Sequence, residues 1–384
     1  MEITQPSVLL GGLTPAQFMR RHWQKKPLLI RQAVPSLADP ANLPVGRSAL
    51  FDLASREDVE SRLIRQSPQG WKLKHGPFAR RALPPLQQVG WTLLVQGVNL
   101  HDDRAHALLQ EFRFLPDARL DDLMISYASD GGGVGAHFDS YDVFLLQVHG
   151  QRRWSIGRQR DLSLQPDVPL KILNNFVPEQ TFDLAPGDML YLPPRYAHDG
   201  MAVGGDCMTY SIGLRAPASA PLGADLLVRM AEAQAEALED EDAPQPVYYR
   251  DPTQEAVSTP AAIPVALQAF ARQAVEKALR DVDAVDRALG ESMTEPKANV
   301  WFDQGEAPEN APSHVSLDRR TRMLYDQRHI YINGESFRAG GRDAVLMRRL
   351  ADRRSLDARD LQKVSDDALA LLGDWCEAGW VHAD

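Results

Sequence analysis

Two histidines and an aspartate in the middle of the chain have the residue types and spacing of a metal site. His137 and Asp139 are separated by one residue in GGGVGAHFDSYDVFLLQ, which spans residues 131–147. In a strand, side chains at positions i and i+2 point to the same side, so this imidazole and this carboxylate can share one space. His198 follows the turn and strand of FDLAPGDMLYLPPRYAH and can supply a third donor. The three residues predict a site for one metal ion.

The predicted donor set restricts the chemistry of the metal. Two histidines and one carboxylate occupy one face of an octahedral ion and leave the opposite positions open, as in non-haem Fe(II) oxygenases. Zinc accepts the same ligands, so the ligand types alone do not identify the metal. An isolated His-x-Asp is more often a loop aspartate beside a surface histidine. Here glycines 131 to 133 and 135 allow a close backbone approach, and the distal histidine lies in a compatible β-rich region.

An arginine is predicted to point into the interior near this site. Alternation in QRRWSI places Arg152, Trp154 and Ile156 on one face of a strand. Burying a lone guanidinium is costly, whereas pairing it with the distal carboxylate of 2-oxoglutarate removes that penalty. An internal ion pair with Asp142 is the alternative, and spacing leaves both open. Ser126, in LMISYA, could donate a second hydrogen bond to the same carboxylate.

The elements around the site predict an α+β fold with a jelly-roll core. Six short β-like runs lie between Asp121 and Leu214: LMISYA, YDVFLLQV, RRWSIG, TFDL, DMLYLP and MTYSIGL. Upstream, Thr14-Pro15 predicts a helix start, KKPLLIRQA a strand, RSALFDLASREDVESRLI a helix, and WTLLVQGVN a buried strand. These N-terminal elements add helices and strands to the core.

The pattern of predicted strands and helices changes along the chain and predicts three regions: residues 1–215, 216–300 and 301–384. The first holds the catalytic core. In the second, LGADLLVRMAEAQAEAL and AAIPVALQAFARQAVEKAL predict amphipathic helices that pack together or against a second subunit. In the third, RMLYDQ and HIYING predict a hairpin with Asn333-Gly334 at a turn, and GRDAVLMRRLADRR and ALALLGDWCEAGW predict helices. We interpret this last region as a winged-helix-like module.

Composition excludes several classes of protein. The chain has 384 residues and two cysteines, Cys207 and Cys376, which excludes a disulfide scaffold and a cysteine-rich metal site. No apolar run approaches the length of a transmembrane helix, and MEITQPSVLLGG does not have the pattern of a signal peptide, so we expect a cytoplasmic protein without membrane contact. The net charge of −10 argues against broad binding to nucleic acid.

Three segments of the chain resemble the sequences of one known protein family: DDLMISYASDGGGVGAHFDSYDVFLLQVHGQRRWSIG, LAPGDMLYLPPRYAHDG and MTYSIGLRAP. They resemble the bacterial JmjC-type ribosomal oxygenases, the arginine 3-hydroxylases of large-subunit ribosomal protein L-sixteen. The likeness extends to FMRRHWQKKPLLIRQA, to the helical middle and to the C-terminal module. The resemblance implies a double-stranded β-helix of the cupin/JmjC type, with Fe(II) held by His137, Asp139 and His198. It also implies that Arg152 and Ser126 bind 2-oxoglutarate, with dioxygen as the other cosubstrate. Many wider relatives have lysine where this chain has Arg152, and arginine fits the bacterial branch.

The resemblance further implies an activity and partners. The activity is hydroxylation of an arginine β-carbon, and the middle helices would form a homodimer. Asp130 is a candidate acceptor for the substrate guanidinium, although an ordinary turn aspartate is an equal interpretation. A net charge of −10 would then help to steer a cationic ribosomal protein to the enzyme.

Three other functions compete with this interpretation. The enzyme could hydroxylate another residue, such as histidine, or another ribosomal protein. A cupin-like module could hold a metal or ligand without turnover, although it would not need the inward Arg152. A transcription regulator could use the winged helix, whose local arginines are Arg319, Arg320, Arg322, Arg328 and Arg338. Because the charges are mixed from Asp352 onward, we favour a partner-contact or structural role and expect no direct nucleic-acid binding.

Overall fold

The structure is a computed structural model that describes residues 2–239, 245, 247–280, 282–308 and 312–384. The chain divides into two compact units. One contains the residues up to Ala216 together with Ala298–Trp301, and the other contains Pro217–Lys297 and Phe302–Asp384. The helical region and the C-terminal module therefore lie in the same unit, and the division of the chain into three regions stays a prediction.

The first unit carries the candidate site and is rich in strands. Its helices are α1 Pro15–Arg21, α2 Arg47–Leu53 and α3 Asp103–Gln110. Its strands are β1 Leu28–Ile30, β2 Ser61–Ser67, β3 Gly70–His75, β4 Trp91–Val95, β5 Leu120–Ala128, β6 Val143–His149, β7 Arg152–Gly157, β8 Gln180–Leu184, β9 Met189–Leu192, β10 Ala197–Ala202 and β11 Cys207–Leu214.

Two antiparallel sheets build this unit. The large sheet has the strand order β1-β9-β6-β11-β5-β4-β2-β3, and the small sheet has the order β10-β7-β8. Alternate residues of the large sheet face a hydrophobic core that includes Phe18, Tyr127, Phe144 and Tyr191, all fully buried. The opposite residues, such as Ser126, line a cavity. This is the predicted double-stranded β-helix of the cupin/JmjC type, and the α+β class is confirmed.

The N-terminal elements confirm some predictions and correct one. Thr14 caps α1, because its hydroxyl accepts a hydrogen bond from the Gln17 backbone N–H while the Gln17 side chain accepts one from the Thr14 N–H, and Pro15 takes the first helical position. The helix predicted from Arg47 through Ile64 is wrong beyond Leu53. Residues Ser61–Ser67 instead form β2, which pairs with both β3 and β4. Pairing on both sides and burial of Leu63 outweigh the helical spacing of the apolar residues.

The second unit contains helices and two small sheets. Its elements are α4 Ser219–Glu239, α5 Val265–Leu279, α6 Val282–Thr294, β12 His314–Leu317, β13 Met323–Tyr325, β14 His329–Ile332, β15 Glu335–Arg338, α7 Gly341–Arg353, β16 Ser355–Asp357, α8 Ala358–Leu361, α9 Asp366–Glu377 and β17 Val381–Ala383. The sheets have the orders β16-β12-β17 and β13-β14-β15. Asn333 and Gly334 both have positive φ at the turn between β14 and β15, as predicted. Among the described helices, none combines the length and the hydropathy needed to span a bilayer.

Candidate active site

Backbone hydrogen bonds between the loop that carries His137 and Asp139 and the segment that carries His198 bring the three predicted metal ligands together. His137 and Asp139 lie in an extended loop between β5 and β6, and not in a regular strand. The N–H of His137 donates to the carbonyl of His198 at 3.0 Å, and the N–H of His198 donates back at 2.8 Å. The backbone N–H of Arg195 also donates to the carbonyl of Asp139 at 2.7 Å. The loop is therefore fixed against β10, which carries His198.

Glycines before His137 permit this close approach. A Cβ atom on Gly133 would lie 2.5 Å from the carbonyl oxygen of Gly200, and one on Gly132 would lie 2.4 Å from that of Trp91. Real side chains do not tolerate such contacts. The glycine run is thus needed for the loop to lie against β10 and β4.

The donor atoms of His137, Asp139 and His198 all lie within 4.8 Å of one another. The two imidazole rings are 4.2 Å apart between centroids, and Nε2 of His198 is 3.7 Å from Oδ2 of Asp139. Nδ1 of His137 is 2.9 Å from the carbonyl oxygen of Gly135, and Nδ1 of His198 is 3.0 Å from that of Tyr196. Since a carbonyl can only accept, we assign the proton to Nδ1 in both rings. Both Nε2 atoms then keep a lone pair for a metal.

Burial shifts the pKa values of two of the three candidate ligands. It lowers the pKa of His198 well below the ordinary histidine value, and neighbouring His137 acts in the same direction. Burial raises the pKa of Asp139, against the effect of His137. A neutral imidazole is the form that binds metal, and a cation would offset the cost of burying the carboxylate. Among the described residues, no other three histidine, cysteine, aspartate or glutamate side chains bring their ligand atoms close enough together to hold one metal ion. The donor set fits a divalent ion such as Fe(II).

Arg152 lies in β7 and is 2% exposed. Its Nη1 donates to the Ser126 hydroxyl at 3.3 Å and its Nη2 to the carbonyl of Gly200 at 3.1 Å, while Nε has no partner. Among the described residues, no carboxylate lies within ion-pair distance of this guanidinium. The alternative partner, Asp142, instead accepts hydrogen bonds from the Tyr191 hydroxyl and the Gln24 side chain, and Arg119 lies 3.5 Å away. The buried charge of Arg152 therefore fits a carboxylate supplied by a ligand.

A cavity of about 500 Å³ connects the triad with Arg152 and continues to an acidic end. Along β5, Ser126 and Asp122 face the cavity four residues apart, which separates them by about 13 Å. Oδ2 of Asp122 accepts hydrogen bonds from the Gln96 side chain at 2.8 Å and from the Gly97 N–H at 3.1 Å. Burial and the nearby carboxylates, Asp139 first and then Asp122, raise the pKa of Tyr141. The cavity thus has a cationic end at Arg152 and an acidic end at Asp121 and Asp122, where Arg62 also lines the wall and donates a hydrogen bond to the Gln96 side chain.

The sequence prediction did not include Asp122 or Tyr141, and the structure does not place Asp130 in the cavity. Oδ1 of Asp130 accepts hydrogen bonds from the backbone N–H groups of Gly204 and Gly205, at 3.0 and 3.3 Å. It stabilises a turn and is absent from the cavity lining. The signal for Asp122 was present in the sequence, since alternation from Ser126 back along LDDLMIS places it on the same face as Ser126.

Comparison with known proteins agrees with this architecture. The JmjC domain family matches residues 107–222, and the ROXA-like winged helix family matches residues 277–382. The ribosomal protein uL16 3-hydroxylase of Escherichia coli is 40% identical over 201 residues, which are 52% of this chain and 52% of that protein. A probable ribosomal oxygenase of Haemophilus influenzae is 38% identical over 213 residues, 53% of this chain and 50% of that protein. The matched region therefore spans about half the length of these two relatives.

Solved structures match over a larger share of the chain. The crystal structure of YcfD, a ribosomal oxygenase from Escherichia coli, superposes with a TM-score of 0.80 at 29% identity, covering 97% of this chain and 98% of that chain. A structure of the same protein in complex with cobalt and 2-oxoglutarate gives a TM-score of 0.78 at 29% identity, with the same coverage.

Residues 107–222 thus match the JmjC domain family, and they include the two histidines and one carboxylate of the candidate metal centre. The chain also carries a ROXA-like winged helix. Its resemblance to the bacterial JmjC-type ribosomal oxygenases, expected from the segments around His137 and His198, is confirmed.

Proposed function

We propose that this protein is an Fe(II)- and 2-oxoglutarate-dependent hydroxylase that acts on an arginine β-carbon of ribosomal protein uL16. The observation that carries the proposal is the buried guanidinium of Arg152, which has no carboxylate partner among the described residues and faces the cavity of the triad. A module that only held a metal would have no use for it. The similarity to the E. coli ribosomal protein uL16 3-hydroxylase and to the probable ribosomal oxygenase of H. influenzae supports a ribosomal substrate.

Five residues of the cavity have a defined task in this proposal. His137, Asp139 and His198 hold the metal through two Nε2 atoms and a carboxylate oxygen, and the Gly135 and Tyr196 carbonyls keep both rings oriented. Arg152 and Ser126 bind the distal carboxylate of 2-oxoglutarate. When bound, iron and 2-oxoglutarate supply an oxidant that inserts one oxygen atom of dioxygen into a C–H bond. Buried lining residues such as Val143, Leu145 and Trp154 shield part of the cavity from bulk water.

The anionic end of the cavity supports a cationic substrate side chain. A guanidinium there would lie near the carboxylate of Asp122 and the ring of Tyr141. A neutral histidine side chain would gain less from a buried carboxylate than an arginine does, so this feature favours arginine over the histidine alternative.

We expect Asp122→Asn to raise the KM for an arginine-containing uL16 peptide by about 10- to 100-fold, because a charge-assisted hydrogen bond is replaced by a neutral one. The affinity for 2-oxoglutarate should not change, since Asp122 lies at the other end of the cavity. Steady-state succinate formation and 2-oxoglutarate titration measure the two quantities. Asp183→Asn, which alters an ion pair with Arg153 on the outer face, is the control. An unchanged peptide KM for Asp122→Asn would remove Asp122 from substrate recognition.

The assignment of the substrate has a direct test. Ribosomal proteins are analysed by mass spectrometry from the organism with and without this gene. If one arginine of uL16 is about 16 Da lighter, the mass of one oxygen atom, in the organism without the gene than in the organism with it, the proposal is supported. A uL16 arginine that keeps the extra oxygen without the gene would show that the substrate is another residue or another protein.

We also propose a homodimer formed through the helical region, in the cytoplasm. Apolar side chains of Leu227, Val228 and Leu238 on α4 and of Val275 and Leu279 on α5 are exposed in the single chain. Such surfaces usually mark an interface. Analytical ultracentrifugation is expected to give a mass twice that of the chain. A monomer mass at micromolar concentration would contradict the homodimer.

The winged helix is proposed to contact protein and not nucleic acid. Its helix α9 carries Asp366, Asp367, Asp374 and Glu377 and no basic residue. An acidic helix would be repelled by phosphate groups, so groove binding through α9 is disfavoured. Salt-dependent binding of the protein to duplex DNA would contradict this assignment.

A further inference from the structure

Gly200 in β10 occupies a position where a side chain would collide with the candidate cosubstrate anchor. A Cβ atom there would lie 2.5 Å from Cζ3 and 2.6 Å from Cη2 of Trp154, and 2.7 Å from Nε of Arg152. The φ of Gly200 is not in the left-handed region, so its backbone conformation does not require glycine. What requires glycine is the space that the two neighbouring side chains occupy.

Strand register explains why these three residues meet. In the β10–β7 pair, Gly200 lies directly opposite Trp154, and Ala202 lies opposite Arg152. The Arg152 side chain runs back over Trp154, with its guanidinium carbon 4.8 Å from the ring centroid, and Nη2 donates to the Gly200 carbonyl at 3.1 Å. The absent side chain of Gly200 leaves room for both groups on the cavity side of the small sheet.

Trp154 cannot move away at low cost. It is 4% exposed and packs in a hydrophobic cluster with Leu145, Ile156, Leu190 and Tyr196. Close packing of this kind transmits a displacement instead of absorbing it. A side chain at position 200 would therefore displace the guanidinium of Arg152, which also donates a hydrogen bond to the Ser126 hydroxyl.

We propose that Gly200 and Trp154 are positioning residues that set the orientation of Arg152 and so select a 2-oxo acid with a distal carboxylate. Trp154 supports the guanidinium from one side with its ring face, and Gly200 contributes a carbonyl acceptor and an empty volume. The inference rests on the proposed function, because it assumes that Arg152 binds the cosubstrate.

Gly200→Ala tests the role of the empty volume. Mn(II) is titrated into the full-length protein, and the Mn(II)-loaded protein is then titrated with 2-oxoglutarate and with pyruvate, which lacks the distal carboxylate. We expect the 2-oxoglutarate affinity to fall by about tenfold, as overpacking moves Arg152. The affinities for Mn(II) and pyruvate should stay within about twofold, because neither ligand uses Arg152.

Two further substitutions and one control complete the test. Trp154→Phe removes the two indole atoms nearest to the added Cβ, so the double variant Gly200→Ala/Trp154→Phe should regain part of the lost 2-oxoglutarate affinity. Trp154→Leu removes the ring face and should weaken 2-oxoglutarate binding more than Mn(II) binding, although the Trp154 ring also lies 5.7 Å from the ring of His198. This result does not depend on whether Gly200→Ala folds. Gly46→Ala adds a Cβ with no heavy atom within 4 Å and should change neither affinity.

The outcomes separate the inference from the proposed function. The inference would be overturned if Gly200→Ala or Trp154→Leu bound 2-oxoglutarate with wild-type affinity. It would also be overturned if either variant lost Mn(II), pyruvate and 2-oxoglutarate binding equally. A wild-type protein that binds Mn(II) but no 2-oxoglutarate would instead overturn the proposed function.

Discussion

Asp139→Ala is expected to reduce hydroxylation on the order of 10³-fold or more, because the site loses the one anionic ligand of the metal. Substrate-dependent succinate formation measures turnover, and Mn(II) binding followed by electron paramagnetic resonance measures the site itself. The fold should persist. Burial raises the pKa of Asp139 above its value in the unfolded chain, so the ionised carboxylate destabilises the metal-free protein at neutral pH, where it is deprotonated. Removing that carboxylate should therefore leave the metal-free melting temperature unchanged or higher.

The control for this variant is Asp52→Ala, which removes an exposed carboxylate that pairs with Arg80 on the surface. It should retain turnover and Mn(II) affinity. If Asp139→Ala kept both properties as well, Asp139 would not be a metal ligand. If it lowered the metal-free melting temperature strongly, the loop would depend on the carboxylate for its structure.

Arg152→Met is expected to weaken 2-oxoglutarate binding by about 10²-fold, because a charge-assisted pair with the distal carboxylate is lost. The metal-free protein should be as stable as wild type or more stable, since the buried guanidinium has no carboxylate partner among the described residues and methionine fills a similar volume. Calorimetric titration of the Mn(II)-loaded protein gives the affinity, and thermal denaturation with and without 2-oxoglutarate gives the stability.

Two further variants separate charge from geometry at this position. Arg152→Lys keeps the charge but not the planar fork, so we expect it to retain part of the affinity. Arg153→Met changes the adjacent arginine, which lies on the outer face and pairs with Asp183, and should leave the affinity unchanged. Wild-type 2-oxoglutarate affinity in Arg152→Met would remove Arg152 from the proposed role.

Local sequence patterns predicted most of the elements that carry the site. Period-two alternation identified the inward face of β7, and the structure buries Arg152, Trp154 and Ile156 on that face. Short strands separated by glycine and proline predicted the jelly roll. These features are local, because strand alternation and turn residues depend on a few neighbours in the sequence.

What the sequence analysis did not predict depends on contacts between distant segments. β2 was interpreted as part of a helix because its strand character comes from pairing with β3 and β4. β10 was missed because AHDGMA has little β propensity and is held by pairing with β7. Alternation placed Asp122 on the same face as Ser126, but the acidic end of the cavity was missed because Gln96 and Tyr141, which contribute to it, come from other segments that meet β5 only in the fold. Asp130 was a candidate because it precedes the glycine run, with an ordinary turn aspartate as the equal alternative, and its carboxylate accepts hydrogen bonds from the backbone of residues 204 and 205.

The most direct test is a crystal structure of the protein grown without oxygen with Mn(II) and N-oxalylglycine, an inert analogue of 2-oxoglutarate. We predict one anomalous peak bonded to Nε2 of His137, Nε2 of His198 and a carboxylate oxygen of Asp139, with the distal carboxylate of the analogue on Arg152. A metal at another place, or coordination positions filled by the protein's own atoms in place of the analogue, would contradict the account.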